Sequence, residues 1–283
     1  MKTENLPARA FTPANLSLVF ETYPAEPPHG RGSLGIGITL DEGVIATVRR
    51  TGPDHPAGIF VAGKEWEFPT VKFVLAALEA TPVHVELEAA FPFGCGFGMS
   101  GASALSVALA ANELLQLGRT RTELGMIAHE AEIAAATGLG DVGGQFNGGI
   151  MIKTVKYEPL HVEQLPIRVE HLHVRIFGPI HTAEVINSEK KLKRINAAGH
   201  SVLRIIRGYR QEVTLDLLIQ NSLLFAIKSE LLTSPECIQT VADVRALGGR
   251  AAMIMLGEAI VATVPFPGSR QVRVSHEGAK LLS

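Results

Sequence analysis

Alternating apolar and polar residues indicate β-strands in the first third of the chain. From Val83 to Glu88 the alternation is strict, with valine and leucine on one face and histidine and glutamate on the other, which is typical of a half-buried strand. A segment rich in proline and glycine, Pro24–Gly35, is predicted to be a loop. Further strands are predicted at three apolar stretches: Leu16–Phe20, Ile36–Leu40 and Val44–Val48.

Helices are predicted after the last of these strands. Residues 102–117 are apolar nearly all round, which predicts a buried helix directly behind the glycine-rich segment 94–101. A second helix is expected over Thr122–Ala136, with Thr120 or Thr122 as its N-cap. Strand, glycine loop and helix therefore follow one another without a gap, and a second glycine-rich segment, 137–149, follows the second helix.

The pattern changes after the segment Lys156–Pro166, which carries prolines and mixed charge and has no periodicity. We expect a domain boundary there, with residues 1–157 in an N-terminal α+β domain and residues 158–283 in a C-terminal one. Strands that bracket helices favour a small α+β sandwich for the second half. Its predicted strands are Val169–Ile176, Ala251–Leu256, Ala259–Val264 and Gln271–Ser275, and its predicted helices are Glu189–Arg210, Val213–Leu232 and Pro235–Leu247.

Composition narrows the class of protein. The chain has 283 residues, of which 46% are apolar and 19% are charged, which argues against a disordered chain. Its net charge of −2 gives no electrostatic reason to expect nucleic acid as a partner. No apolar run is long enough to cross a membrane, and the N-terminus lacks the apolar stretch of a signal peptide. Cys95 and Cys237 have no C-x-x-C partner, so we expect reduced cysteines and a cytoplasmic protein.

Glycine gives the first indication of a binding site. Of the 28 glycines, 12 lie between Gly94 and Gly149, and clustered glycines allow the backbone to turn sharply or approach a ligand. The segment 96–101 matches the dinucleotide pattern G-x-G-x-x-G, but the acidic residue expected about 20 positions later would fall in a helix. No Gly-Lys-Ser/Thr follows to make a Walker A loop. Both motifs bind anions through backbone N–H groups at a helix N-terminus, so we predict a phosphate-binding loop here.

The segment PFGCGFGMSGASALSVALAANELL (92–115) resembles the central phosphate-binding motif of the GHMP kinase superfamily, which includes galactokinase, homoserine kinase and mevalonate kinase. The variant GFGMSGA, followed by TGLGDVGGQ, is most similar to the pantoate kinase family of archaea. Three further segments fit the resemblance: FTPANLSLVFE (11–21), GRGSLGIGITL (30–40) and GGRAAMIMLGEAIVA (248–262). The resemblance implies a two-domain α+β fold, with an N-terminal domain like ribosomal protein S5 and a C-terminal ferredoxin-like α/β sandwich.

The same resemblance implies the ligands. It implies ATP and Mg²⁺ as cofactors, a small-molecule substrate whose hydroxyl is phosphorylated, and a homodimer. Ser103 and Ser100 supply hydroxyls near the loop that are able to reach a phosphate or a magnesium ion. The residues expected to bind the nucleotide are Gly94, Cys95, Gly96, Phe97, Gly98, Met99, Ser100, Gly101 and Ala102.

Asp141 is the candidate catalytic base. Phosphoryl transfer to an alcohol needs a positioned hydroxyl, a group that takes its proton, and cations or dipoles that hold the γ-phosphate. Asp141 is the only acid between Glu132 and Glu158, and it is surrounded by glycines. In members like mevalonate kinase the proposed catalytic aspartate precedes a Gly-Gly pair by seven residues, as Asp141 precedes Gly148 here.

The metal ligands are expected to be oxygens, because Mg²⁺ prefers hard donors. The resemblance implies that the metal ligands are Ser100 and a glutamate on the helix before Asp141. Glu130 and Glu132 both qualify, but residues two apart on a helix point in roughly opposite directions, so at most one of them faces the loop. We expect Glu132 to be the ligand and Glu130 to be solvated.

The substrate site departs from the superfamily pattern. Many members carry a lysine where Asn15 stands here, and Ala14 replaces the usual glycine. Asparagine orients a hydroxyl or carboxylate but supplies no charge, so a cation that binds a substrate carboxylate is expected elsewhere. Arg31 is the first candidate and Lys153 the second. The residues expected to bind substrate are Asn15, Arg31, Ser33 and Asp141.

The resemblance implies ATP-dependent phosphorylation of the C4 hydroxyl of (R)-pantoate to 4-phosphopantoate, in coenzyme A biosynthesis. Two alternatives remain open at this point. In the first alternative, the chain is a kinase for another small alcohol, such as homoserine, mevalonate or shikimate. In the second, it is an inactive regulator that binds a nucleotide. Asp141 speaks against the regulator, because binding alone does not require an acid beside the phosphates.

Overall fold

A computed structural model describes residues 6–26 and 30–283. Its strands are β1 (Ala8–Glu26), β2 (Gly30–Arg50), β3 (Gly58–Val61), β4 (Lys64–Glu65), β5 (Val83–Ala89), β6 (Ile150–Lys153), β7 (Glu163–Gln164), β8 (His171–Pro179), β9 (Ala251–Met253), β10 (Gly257–Ala262), β11 (Arg270–Arg273) and β12 (Lys280–Leu282). Its helices are α1 (Pro69–Ala77), α2 (Met99–Leu115), α3 (Arg121–Ala134), α4 (Asp141–Asn147), α5 (Thr182–Ile186), α6 (Glu189–Gly208), α7 (Leu215–Lys228) and α8 (Pro235–Ala246).

A long antiparallel hairpin of β1 and β2 forms the centre of the first sheet. The strand order is β12-β1-β2-β5-β3-β4, and β6 adds to β2 and β7 to β6. The prediction of a loop over Pro24–Gly35 is wrong for the residues that the structure describes, because Arg31 to Gly35 belong to β2. Residues 27–29 of that segment lie outside the described ranges. Glycines opposite aromatic residues allow this pairing: a Cβ at Gly32 would lie 2.7 Å from the ring carbon Cζ of Tyr23.

The predicted helices of the first half are confirmed. α2 packs against β1, β2, α1 and α3, and it is buried along most of its length because its residues are apolar or small. α3 begins at a capping box in which the Thr120 side chain accepts from the Glu123 backbone N–H. Its Glu123 carboxylate accepts in return from the Thr120 backbone N–H, which satisfies both donors at the helix end.

The second sheet has the order β11-β8-β10-β9, and α7 and α8 pack against β9. The helices predicted for this half are confirmed as α6, α7 and α8, and the predicted strand Val169–Ile176 overlaps β8, in which Leu172 and Val174 are buried. The α+β class is therefore confirmed. A division of the chain after Tyr157 stays a prediction, and β7 and β12, which lie beyond it, both pair within the first sheet.

Three helices were not predicted: α1, α4 and α5. α4 lies within the second glycine-rich segment, where a loop was expected, and its glycines serve close packing. A Cβ at Gly144 would lie 2.8 Å from Oδ1 of Asn15 on β1, so only glycine lets α4 approach the strand this closely. Among the described residues no helix has the length and apolar character needed to cross a membrane. Cys95 and Cys237 are both free and buried, as predicted.

Candidate active site

The predicted phosphate loop connects β5 to the N-terminus of α2. Gly94, Gly96 and Gly98 have φ angles of +78°, +86° and +65°, which are left-handed conformations that favour glycine. These turns lead the chain into α2, whose first residue is Met99. The loop therefore places a helix N-terminus, with its partial positive charge, at the wall of a cavity of about 350 Å³.

Contacts from both halves of the chain fix the loop. The backbone N–H of Asn15 donates to the Phe97 carbonyl at 3.0 Å, and the Phe97 ring stacks on Phe91 with 4.1 Å between ring centroids. From the second half, the Ile180 N–H donates to the Gly94 carbonyl at 2.9 Å. The loop is therefore held in place before any phosphate binds.

The predicted nucleotide-binding residues separate into two groups. Gly94, Gly96, Gly98, Met99 and Ser100 line the cavity. The other four do not line it. The side chains of Cys95 and Phe97 are buried in the core, Ala102 donates its N–H to the Gly98 carbonyl, and Gly101 packs against Glu132. These four residues therefore support the cavity wall through packing and backbone contacts, and nucleotide binding by all nine stays a prediction.

The turn before β10 packs directly against the loop. A Cβ at Gly96 would lie 2.9 Å from the Met255 carbonyl oxygen, and a Cβ at Gly257 would collide with the Cys95 backbone. Met255 and Leu256 also line the cavity. The Met-Leu-Gly segment, one of the segments that carry the resemblance, therefore lies against the predicted phosphate loop.

Asp141 is the first residue of α4 and lies at the wall of the same cavity. Its Oδ1 accepts hydrogen bonds from Nδ2 of Asn15 at 2.8 Å and from Oγ of Ser17 at 2.7 Å. Burial raises the pKa of Asp141, and these two hydrogen bonds and the charge of Lys153 oppose that rise. Within α4, Gln145 donates to the Gly98 carbonyl at 2.7 Å, which fixes the helix to the phosphate loop.

Glu132 reaches the cavity from the last turn of α3, and its side chain is buried. Neither carboxylate oxygen makes a hydrogen bond of normal geometry within the part of the chain that the structure describes. Burial, and then repulsion from Asp141, raise the pKa of Glu132 well above its ordinary value, although the Val142 backbone N–H and Lys153 oppose this. Glu130 is exposed, which confirms that only one of the two glutamates faces the loop.

These oxygens fit a divalent metal. Ser100 and Glu132 are both at the cavity wall, and an unpartnered buried carboxylate is a strong site for a cation. Over residues 6–26 and 30–283, no three His, Cys, Asp or Glu side chains cluster so as to hold a metal by themselves. Such a site suits a divalent cation that is held by one or two protein oxygens together with substrate phosphates and water.

Lys153 is the buried cation of the site. It ends β6, lines the cavity, and its ammonium makes no hydrogen bond to the described residues. Burial lowers its pKa to about 8, and the negative charges of Asp141 and Glu132 limit that decrease. Ser33 lines the cavity beside it: a Cβ at Gly140 would collide with Ser33 Oγ and lie 3.2 Å from Lys153 Nζ.

Arg31 does not line the cavity. Its Nη2 donates to the Ile186 carbonyl at 2.6 Å, at the end of α5. The structure therefore does not support Arg31 as the group that contacts a substrate carboxylate, whereas Lys153, the second candidate, lines the cavity. The reason is register: β2 pairs Gly35 with Lys153, so the β2–β6 ladder brings the lysine to the site while Arg31 lies nearer the end of the strand.

Sequence reasoning missed Ser17, which lines the cavity, and His129, which interacts with Lys153 but does not line the cavity. Ser17 lies two residues after Asn15 on β1, and this spacing alone was a signal that both side chains share a face. His129 lies one turn before Glu132 on α3 and is buried. Burial and the charge of Lys153 lower its pKa to about 3, so the ring is neutral at physiological pH.

Comparison with known proteins agrees with this geometry. The pattern of the GHMP kinases N terminal domain matches residues 67–149. The chain is 29% identical over 227 residues to a pantoate kinase of Methanocaldococcus jannaschii, covering 78% of this chain and 80% of the relative. It is 30% identical over 273 residues to a pantoate kinase of Thermococcus kodakarensis, covering 90% and 87%.

A solved structure described as a phosphotransferase related to the CoA biosynthesis pathway superposes with a TM-score of 0.83 and 25% identity, covering 98% of both chains. The fold and the phosphate loop define a GHMP kinase, an enzyme that uses ATP as phosphate donor, generally with a divalent metal. Similarity over most of the chain then shows that this protein belongs to the pantoate kinase family. The resemblance found in the motifs is confirmed.

Proposed function

We propose that this protein transfers the γ-phosphoryl group of ATP to the C4 hydroxyl of (R)-pantoate, giving 4-phosphopantoate and ADP on the route to coenzyme A. The observation that carries the proposal is a single cavity that holds a phosphate loop, a carboxylate and a buried ammonium group. Relatives named pantoate kinase, which cover most of this chain, support the choice of substrate.

Asp141 is the proposed base. Its carboxylate accepts the proton of the C4 hydroxyl while the hydroxyl oxygen forms a bond to the γ-phosphorus and the bond from that phosphorus to the bridging oxygen of ADP breaks. Burial raises the pKa of Asp141, which makes it a better proton acceptor than a solvated aspartate. The hydrogen bonds to Oδ1 favour the ionised form and so oppose the rise in the pKa of Asp141.

The N-terminus of α2 and the glycine N–H groups of the loop stabilise the negative charge of the transferring group. Ser100 and Glu132 are the proposed ligands of Mg²⁺, which when bound neutralises phosphate oxygens. Both oxygens of Glu132 are buried, and neither makes a hydrogen bond of normal geometry among the described residues, which supports the assignment.

Lys153 is the proposed partner of the pantoate carboxylate, with Ser33 as a neutral donor beside it. Both side chains line the cavity. The same cavity has apolar walls at Ile36 and Met151, and pantoate carries two methyl groups that such walls favour over water. Homoserine and shikimate lack a geminal dimethyl group, so this apolar surface favours pantoate among the candidate alcohols.

The test is ADP release with pantoate, homoserine, mevalonate or shikimate, measured for the wild type and for Asp141→Asn. We expect turnover with pantoate, and a loss of at least about 100-fold in kcat in the variant. Turnover with another alcohol instead would assign a different substrate, and ATP binding without any turnover would favour a regulatory protein. An Asp141→Asn variant as active as the wild type would remove Asp141 from its role.

Two further properties are expected from the sequence. The resemblance implies a homodimer, which sedimentation equilibrium measures directly. The isolated, reduced cysteines imply a cytoplasmic protein, which fractionation of the source cells tests.

A further inference from the structure

Two neutral side chains of β1 hold one oxygen of Asp141. Asn15 and Ser17 lie two residues apart, so the alternation of the strand directs both to the same face. The pairing of β1 with β2 is irregular between Pro13 and Asn15 and again between Ser17 and Val19. Such irregularities bend a strand and re-aim its side chains, and here they isolate the segment that carries the two donors.

Both hydrogen bonds to the Asp141 carboxylate end on the same atom. Nδ2 of Asn15 donates to Oδ1 at 2.8 Å, and Oγ of Ser17 donates to Oδ1 at 2.7 Å. Nδ2 of Asn15 also donates to Oγ of Ser17 at 3.2 Å, so the three groups form a closed triangle. An oxygen held by two short hydrogen bonds fixes the plane of the carboxylate and leaves Oδ2 for another partner.

The two donors are themselves held in place. A Cβ at Gly37 would lie 2.6 Å from Oδ1 of Asn15, and the amide is therefore confined between Gly37 and α4. The Ser17 carbonyl accepts from the Met255 N–H at 2.8 Å. The segment of β1 that positions Asp141 is thus connected to the turn that supports the phosphate loop, and the base and the phosphates keep a fixed relation.

We infer that Ser17 is a positioning residue for the proposed base. The inference rests on the proposed function: the Ser17 hydroxyl, together with the Asn15 amide, holds Oδ1 so that Oδ2 of Asp141 faces the acceptor hydroxyl. Ser17 acts through Asp141 and needs no contact with substrate. Its loss therefore affects the chemical step and leaves the binding of pantoate and ATP intact.

The test is steady-state kinetics of Ser17→Ala and Ser17→Thr with pantoate and ATP. We expect kcat of Ser17→Ala to fall about 10- to 100-fold, as for a small misplacement of a reacting group, with both KM values within about twofold of wild type. Ser17→Thr keeps the hydroxyl and should restore most of kcat. If Ser17→Ala does not fold, as judged by circular dichroism, Ser17→Cys replaces it, because a thiol is only a weak donor.

Ser222→Ala is the matched control. The Ser222 hydroxyl is buried and donates to the Leu18 carbonyl of the same strand at 2.9 Å, but it does not contact Asp141. We expect this variant to keep the wild-type kcat even if its melting temperature falls, so a general disturbance of β1 is separated from positioning.

The outcomes separate the two claims. If the wild type phosphorylates pantoate and Ser17→Ala keeps its kcat, or if Ser17→Thr does not restore the lost kcat, the positioning role is overturned and the proposed function stands. If the wild type acts on another alcohol, the substrate assignment fails and the same ratio, measured with that alcohol, decides on Ser17. A wild type without activity toward any alcohol overturns both.

Discussion

Replacing Lys153 by methionine tests how the substrate carboxylate is bound. In the ligand-free protein the ammonium is buried and makes no hydrogen bond to the described residues, so its donors are available to a carboxylate. Lys153 already interacts with the charges of Asp141 and Glu132. We therefore expect its interaction energy with the substrate carboxylate to lie near the lower end of the range for buried charge pairs, at about 2–3 kcal/mol. That energy corresponds to about 30- to 150-fold in kcat/KM.

The assay compares pantoate with its neutral amide, which has the same shape but no charge. The wild type should prefer pantoate by about 30- to 150-fold, and Lys153→Met should lose most of this preference. Lys153→Arg keeps the charge and should retain much of it. The comparison of two substrates matters because Lys153→Met also removes a positive charge next to Asp141, which slows both substrates alike. Equal losses of kcat/KM for pantoate and for the amide would refute the role.

The same preference should depend on pH. The pKa of Lys153 is lowered to about 8 by burial, so the cation is present below that pH and is lost above it. Because kcat/KM reports the free enzyme, the preference for pantoate over its amide should decline as the pH rises through about 8. The neighbouring groups do not reverse this trend. Burial raises the pKa values of Asp141 and Glu132, and their ionisation at higher pH disfavours a carboxylate further, whereas His129, with a pKa of about 3, stays neutral. A preference that stays constant up to pH 10 would contradict the assignment.

Two more substitutions separate stability from function. Glu132→Gln removes a buried carboxyl group whose pKa is raised well above its ordinary value. Because ionisation of that group disfavours the folded state at neutral pH, the free energy of unfolding of the ligand-free variant should rise on the order of 1 kcal/mol, and its Tm by about 2–4 °C. The same variant should lose activity. This gain in stability should vanish in acid, where Glu132 is protonated in both folded and unfolded chains. Glu130→Gln, at an exposed position, should change neither Tm nor activity. A lower Tm at neutral pH for Glu132→Gln would count against the argument. Arg31→Ala loses one hydrogen bond to the Ile186 carbonyl, so KM for pantoate should rise by no more than about tenfold. The preference for pantoate over its amide should be unchanged. If that preference is lost, Arg31 is again the candidate partner of the carboxylate.

The parts of the site that the sequence predicts are those built from neighbouring residues. The phosphate loop was predictable because Gly96 and Gly98 are next to the helix they introduce. The choice of Glu132 over Glu130 needed only the geometry of one helix, and burial agrees with it. The capping residue Thr120 was a local signal of the same kind.

The parts that the sequence did not predict depend on pairing between distant segments. Lys153 was only the second candidate because it enters the site through the pairing of β6 with β2 at Gly35, and no local pattern encodes that register. Arg31 was preferred because it stands near Ser33 in sequence, but its guanidinium donates instead to the Ile186 carbonyl of a distant segment. The helix α4 escaped prediction because its glycines, which normally weaken helices, are required here by its close approach to Asn15.

The triangle of Asn15, Ser17 and Asp141 also concerns how the protein folds. The hydrogen bond from Asn15 to Asp141 closes a separation of 126 residues, and the bond from Met255 to Ser17 closes a longer one. Contacts between distant segments form late, because closing long loops costs entropy before any contact compensates for it. The helices are local and can form early, whereas the glycine loop and Asp141 acquire their arrangement only at the end, because residues as distant as Asn15 and Ile180 hold the loop. A partly folded chain would therefore contain helices but no assembled site.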